Sequence, residues 1–289
     1  MQILLLMMCG LCADPADVAA LEKSLYAKNR PEAQAALKAL ENLAEGESGK
    51  NAPARAALAN YKERRRVFLN KFMLVDVTTS HELDISGREA IEPADMVLLY
   101  CLPNVVHTIS ITNPHFGDAH FEYILQWKGL WTLNIVGTGF TGAGLEKLDS
   151  SQLGMLNLER SPITDEAICA LDPVLCPKLK ILNLIGTKIT NQTIAKCAIT
   201  KVVALYVHNT AVDRDGLADL RRFTELESLR IDVAQFHPRL FAWSASREMP
   251  LDFMHLRYYD ENQKKIAEEI QKEKPVGMNL MAYPAPKRM

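Results

Sequence analysis

The feature that most constrains this chain is a pattern that returns about every two dozen residues. Leu130-Trp131-Thr132-Leu133-Asn134-Ile135 reads LxxLxI, and the segments Leu153–Leu158, Leu179–Leu184, Val202–Val207 and Leu226–Ile231 read the same way. On the second apolar residue the positions are 133, 156, 182, 205 and 229, so the spacings are 23, 26, 23 and 24. Other columns hold the same register. Five places later stands a hydroxyl (Thr138, Ser161, Thr187, Thr210), and seven places later an apolar residue (Phe140, Ile163, Ile189, Val212). Eight places later comes a helix-capping type (Thr141, Thr164, Thr190, Asp213), and twelve places later an aliphatic (Leu145, Ile168, Ile194, Leu217). A fixed period of this length marks one supersecondary unit stacked on copies of itself.

Each column has a physical reason. Alternating apolar residues make a short strand with one buried face. A Ser or Thr hydroxyl bonds backbone in the turn after the strand. The Thr or Asp at the eighth offset caps a short helix. Aliphatics at the twelfth and fifteenth offsets lie three apart, on one helical face aimed back at the strand. One such unit cannot bury its own apolar side, so neighbouring units must stack.

The pattern resembles the leucine-rich repeat family, in the ribonuclease-inhibitor-like form LxxLxLxxTxITDxxLxxL. The resemblance implies an α/β fold: a right-handed solenoid with a parallel sheet on the concave face and short helices on the convex face. It covers roughly Leu102 to Ile231, under half of the 289 residues. A looser unit surrounds Ile109 and Ile111, with Pro114 in the hydroxyl position, and Leu83 with Ile85 marks an earlier, degenerate one. The solenoid is therefore assigned to residues 80–232. Residues 14–72 read as a helical segment, with Asp14-Pro15 as a helix start and Gly46 to Pro53 as a turn or linker. The period stops after Ile231, so residues 233–289 are expected to form a C-terminal cap, a polar helix from Asp260 to Lys274, and a loose tail from Met281.

Ile3 to Ala13 is an uncharged apolar run that fits a signal-peptide core and is too short to span a bilayer. Export, to a secreted or extracytoplasmic location, is the expectation from that leader, with a cytoplasmic protein as the alternative. No segment reads as an integral membrane span. Lys plus Arg is 33 and Asp plus Glu is 35, a net charge of −2, which provides no overall attraction to nucleic acid. Outside the leader, Cys101, Cys169, Cys176 and Cys197 form no CxxC pair, so zinc or dithiol chemistry has no support, and their disulfide state is not readable from spacing.

Two clusters invite chemical readings. Gly137-Thr138-Gly139-Phe140-Thr141-Gly142 is GxGxxG between a strand and a helix, with Glu159 at the end of the next strand, which is the layout of a dinucleotide fingerprint. The helix after it has room only from about Leu145 to Gln152, and every landmark between the glycines also belongs to the repeat. His115, Asp118 and His120 could ligate a metal, but their spacing matches no strong motif. The expectation is no metal, no cofactor and no catalytic residue.

Function is then sought on the outward side of the strands. The register puts Asn157, Glu159, Asn183, Tyr206, His208, Arg230 and Asp232 there, with Met155, Ile181 and Ile185 beside them. Tyr and Arg are types enriched at interface anchors, and exposed aliphatics need a reason. The competing reading is that the C-terminal segment folds over this end and buries it. The resemblance implies a non-catalytic scaffold for protein–protein interaction that binds a protein or peptide on the concave face. The alternatives are an intracellular substrate-recruiting adaptor of the ubiquitin-ligase-receptor kind and, least of all, a nucleotide-binding enzyme acting through Gly137–Gly142.

Overall fold

In the computed structural model the described residues are 15–45, 52–72, 81–102, 106–218, 220–246 and 250–286. The leader Ile3–Ala13, most of the Gly46–Pro53 linker and the last three residues of the tail lie outside them. Three helices open the described chain: α1 (Pro15–Leu25), α2 (Arg30–Glu45) and α3 (Ala52–Phe72). Their shared core includes Leu21, Leu25, Ala36, Leu40, Ala57, Tyr61 and Phe68, all buried. The helical bundle is tied to the first units of the repeat. Gln34 donates to the Tyr100 carbonyl at 2.9 Å, the Ser86 amide donates to the Phe72 carbonyl at 3.0 Å, and the Arg30 guanidinium lies 5.0 Å over the Trp127 ring. On the exposed side of α3, Arg64 pairs with Asp95 at 3.2 Å and Arg66 with Glu63 at 2.7 Å.

Nine parallel strands then form one sheet in strict chain order. They are β1 (Glu82–Ile85), β2 (Thr108–Ile111), β3 (Thr132–Ile135), β4 (Met155–Asn157), β5 (Ile181–Asn183), β6 (Ala204–Tyr206), β7 (Ser228–Asp232), β8 (Phe253–Tyr258) and β9 (Asn279–Pro284). Parallel neighbours need a crossover, and short helices supply several. These are α4 (Asp118–Ile124), α5 (Asp165–Cys169), α6 (Asn191–Lys196), α7 (Arg214–Leu217), α8 (Arg239–Ser246) and α9 (Glu261–Lys272). This is a repetitive, solenoid-like α/β architecture.

The register aligns Leu83, Ile109, Leu133, Leu156, Leu182, Leu205, Leu229, Met254 and Leu280 as successive strand partners. All nine are buried. They form a single interior row, so each contributes about 1.5–3 kcal/mol only because the neighbouring units exclude water. Unit-to-unit bonding also runs through the helix starts. Asp165 at the head of α5 accepts from the Thr190 amide at 2.8 Å and its hydroxyl at 2.7 Å, one unit on. Asp118 does the same to Thr141, and Asn191 accepts from the Asp213 amide. The capping column is mixed. Thr190 and Asp213 cap their own helices with their side chains, whereas Thr164 does not.

Three expectations are corrected. The period does not stop after Ile231: β8 and β9 extend the sheet, with Met254 25 residues after Leu229 and Leu280 26 after Met254. The tail is not loose through Met281, because Asn279–Pro284 is hydrogen-bonded to β8. The crossover after β3 is not a helix but a 3-10 turn, Leu145–Lys147. Gly142 and Gly144 there hold φ of +101° and +98°, outside helical space.

Candidate functional site

The carboxyl ends of the strands share one turn. Gly137, Arg160, Gly186 and Asn209 each sit four residues past the central buried leucine, with φ of +65°, +57°, +66° and +57°. Each amide reaches into the next unit. Gly137 donates to the Glu159 carbonyl at 2.8 Å, Arg160 to that of Ile185 at 2.7 Å, and Gly186 to that of His208 at 3.1 Å. Asn209 ends the ladder differently, donating to a side-chain oxygen of Asp232 at 2.7 Å. Arg160 and Asn209 hold a left-handed conformation that glycine would adopt without cost.

This turn also accounts for the glycine-rich segment. The Gly137 amide is committed to Glu159, and the Thr138 and Phe140 amides to hydroxyls of Ser161 and Thr138. Gly142 is glycine because a Cβ there would lie 2.4 Å from the Ala167 Cβ of α5. Four amides of the segment, those of Gly137, Thr138, Phe140 and Thr141, are therefore bonded within the protein, and no helix of useful length comes after them. The His115–Asp118–His120 cluster is likewise engaged. His120 accepts from the Gly117 amide at 3.1 Å through Nδ1, which leaves Nε2–H to donate to the Ile91 carbonyl at 2.8 Å, and Asp118 bonds Thr141. No cluster of three or more metal-ligating side chains occurs among the described residues.

On the sheet face opposite the leucine row, the seven side chains singled out from the sequence divide. Asn157 and Asn183 turn inward on the backbone, accepting from the Glu159 and Ile185 amides at 3.1 Å each. Asn183 is buried and its Nδ2 donates to Glu159 at 3.4 Å. Asp232 is buried and doubly engaged, accepting from the Asn209 amide and from Arg257 Nε at 2.8 Å. Removing one partner of so covered a pair costs about 3–5 kcal/mol, so Asp232 serves the fold first. The other four stay on the open side. The Arg230 guanidinium lies 4.2 Å over the Tyr206 ring, and both residues are half-buried. Glu159 pairs with Arg160 at 3.2 Å, and His208 lines a cleft of about 650 Å³ with Glu159, Arg160, Arg257, Tyr259 and Tyr283.

The C-terminal strands extend this face instead of covering it. Strand pairing continues the Tyr206–Arg230 row through His255 to Met281, and the Asp232 row through Arg257 to Tyr283. Phe253 and Met281 remain 47% and 61% exposed. Sequence reasoning missed Arg257, His255, Tyr283, Phe253 and Met281 as members of this face. The available signal was Leu251-Asp252-Phe253-Met254-His255-Leu256, which reads LxxMxL at the repeat spacing, with Met standing in for Leu.

Charge and burial set the ionisation of this corner. His208 is held neutral, its pKa lowered to about 4, chiefly by burial and then by the Arg257 and Arg230 charges, against the pull of Asp232. Burial and then Arg230 lower that of His255 as well. Burial raises the Tyr283 phenol, and Arg230 and Arg257 oppose it.

No family model matches the chain, and no curated protein matches it.

Proposed function

We propose that the chain is a leucine-rich-repeat protein that acts without catalysis, as a rigid scaffold binding a protein or peptide on the open, concave face of its sheet. The observation that carries this reading is the continuous row Tyr206, Arg230, His255 and Met281, flanked by exposed Phe253. The strands that carry these side chains are already hydrogen-bonded, so binding orders little backbone, and aromatic and Arg side chains are types enriched at interface anchors. The resemblance to the repeat family supports the fold half of the reading, and a fold alone does not dictate a function.

The test is site-specific photo-crosslinking of the full chain in its native host. A crosslinker at Phe253 on the face is compared with one at Val174, which is 79% exposed. The Phe253 position should trap a discrete adduct that the Val174 position does not. The same adduct pattern from both positions would reject the scaffold reading.

A further inference from the structure

Beside the cleft at the carboxyl ends of the strands, on the same open face, stands a charge that the described residues do not balance. Arg257 is matched by Asp232 at 2.8 Å and Arg160 by Glu159 at 3.2 Å. Arg230, one row away on the same face opposite Tyr206 and His255, has no carboxylate within ion-pair distance among the described residues, and its buried Nε lacks a hydrogen-bond partner. His208 is only 7% exposed, lines the cleft, and its Nδ1 also lacks a partner. By strand register Arg230 lies opposite Tyr206, two residues before His208 on the same side of β6, so the Arg230 and His208 side chains are diagonal neighbours on the open face. A buried guanidinium nitrogen and a buried ring nitrogen, both without hydrogen-bond partners, are costly unless a ligand completes them.

The surroundings narrow the anion. A phosphoryl group commonly combines Arg contacts with a nest of backbone amides. Here the amides of the two left-handed turns, at Arg160 and Asn209, are already taken by Ile185 and Asp232. Glu159 in the lining also disfavours a doubly charged group more than a singly charged one. A carboxylate fits both limits. On the same face, Phe253 and Met281 offer exposed apolar contact beside the charged corner, which suits the side chains that flank an acid in a peptide.

We propose that this end of the open face binds an acidic peptide segment, with one side-chain carboxylate between Arg230 and His208 and its apolar neighbours on Phe253 and Met281. This inference rests on the scaffold reading and makes it specific.

The full chain is titrated with an acetylated, amidated pentapeptide alternating glutamate and phenylalanine, with the matching glutamine–phenylalanine peptide, and with inorganic phosphate. Binding is followed by fluorescence polarisation and by the NMR shifts of the histidine rings. The glutamate peptide should saturate, shift the His208 and His255 rings, and bind at least tenfold more tightly than the glutamine peptide. Arg230→Gln should weaken it at least tenfold with an unchanged melting temperature, and Arg230→Lys should recover part of the loss. Equal binding of the two peptides, an Arg230→Gln variant that folds and binds normally, or displacement of the peptide by phosphate at lower concentration would each overturn the proposal. A Phe253 adduct that persists when the glutamate peptide fails to bind rejects the acidic ligand and keeps the scaffold. Loss of both rejects both.

Discussion

Asp165 is the side chain whose removal tests the unit-to-unit bonding most directly. It is 8% exposed and accepts four hydrogen bonds from the next unit: the Thr190 amide at 2.8 Å, the Thr190 hydroxyl at 2.7 Å, the Thr193 amide at 3.0 Å and the Thr193 hydroxyl at 2.5 Å. Burial alone would raise its pKa, and the four donors together outweigh burial, so the carboxyl is held below its ordinary value. In Asp165→Ala the Thr193 amide keeps a second acceptor, the Thr190 carbonyl at 3.1 Å, while the buried Thr193 hydroxyl loses the one acceptor it has. The Thr190 amide loses its acceptor. An orphaned amide costs about 1–3 kcal/mol and a lost bond to a charged group about 1.5–3, partly offset by no longer burying a carboxylate, so the expected loss is about 2–4 kcal/mol. Asp165→Asn retains one acceptor oxygen and should lose about half as much. Urea unfolding followed by far-ultraviolet circular dichroism reads this as a lower midpoint at constant slope. The sign with pH is fixed by the lowered pKa: the contribution is present above about pH 4, where the unfolded carboxyl is ionised, and fades as pH falls through the lower folded value. An Asp165→Ala variant within about 0.5 kcal/mol of the parent, no worse than Lys188→Gln at an exposed position, would refute the reasoning.

Leu182→Ala, in the fully covered interior row, should cost about 2–5 kcal/mol, and a negligible change in denaturant midpoint would mean that the strand register is wrong. Gly142→Ala puts a Cβ 2.4 Å from Ala167 at a φ of +101°, so its melting temperature should fall while Gly129→Ala, with open space around it, should change little. Arg160→Gly releases a left-handed residue worth about 1–2 kcal/mol of strain, less the unfolded-state freedom of glycine, so calorimetry should find a variant at least as stable as the parent. His208 binds its proton only near pH 4 when folded but near 6.5 when unfolded, so stability should fall as pH drops from 6.5 to 4. At ~1.4 kcal/mol per pH unit that is about 3 kcal/mol, reduced to about 2 by screening at the cleft mouth, and His208→Gln should flatten the profile in that window.

Much of the fold was legible because repetition multiplies a weak signal. A single LxxLxI is compatible with many folds, but Leu133, Leu156, Leu182, Leu205 and Leu229 with their trailing hydroxyls leave few, and the strands fell where those columns put them. The repeat became illegible where its chemistry drifted. In β8 the central residue is Met254, and the hydroxyl column holds Tyr259, so strands that belong to the same sheet look like an aromatic appendage. The face was legible as a set of outward positions. Which of them remain available was not, because Asn183 is consumed by the Ile185 amide two residues on and Asp232 by the amide of Asn209, whose left-handed geometry has no glycine to mark it. Arg257, which decides the fate of Asp232, stands 25 residues later, in the segment where the period had faded.

Strict chain order in the sheet has a mechanical consequence. Every strand is bonded only to the strands made just before and just after it, so a pull on the two termini passes through the ladders in series, and an end unit, supported from one side only, yields first. Stretched between an optical-trap bead and a surface, the molecule should unravel coil by coil from its uncovered β9 edge. Each rupture would release about 80 Å of contour, the extended length of roughly two dozen residues, where a sheet with interleaved strands would hold and then fail at once.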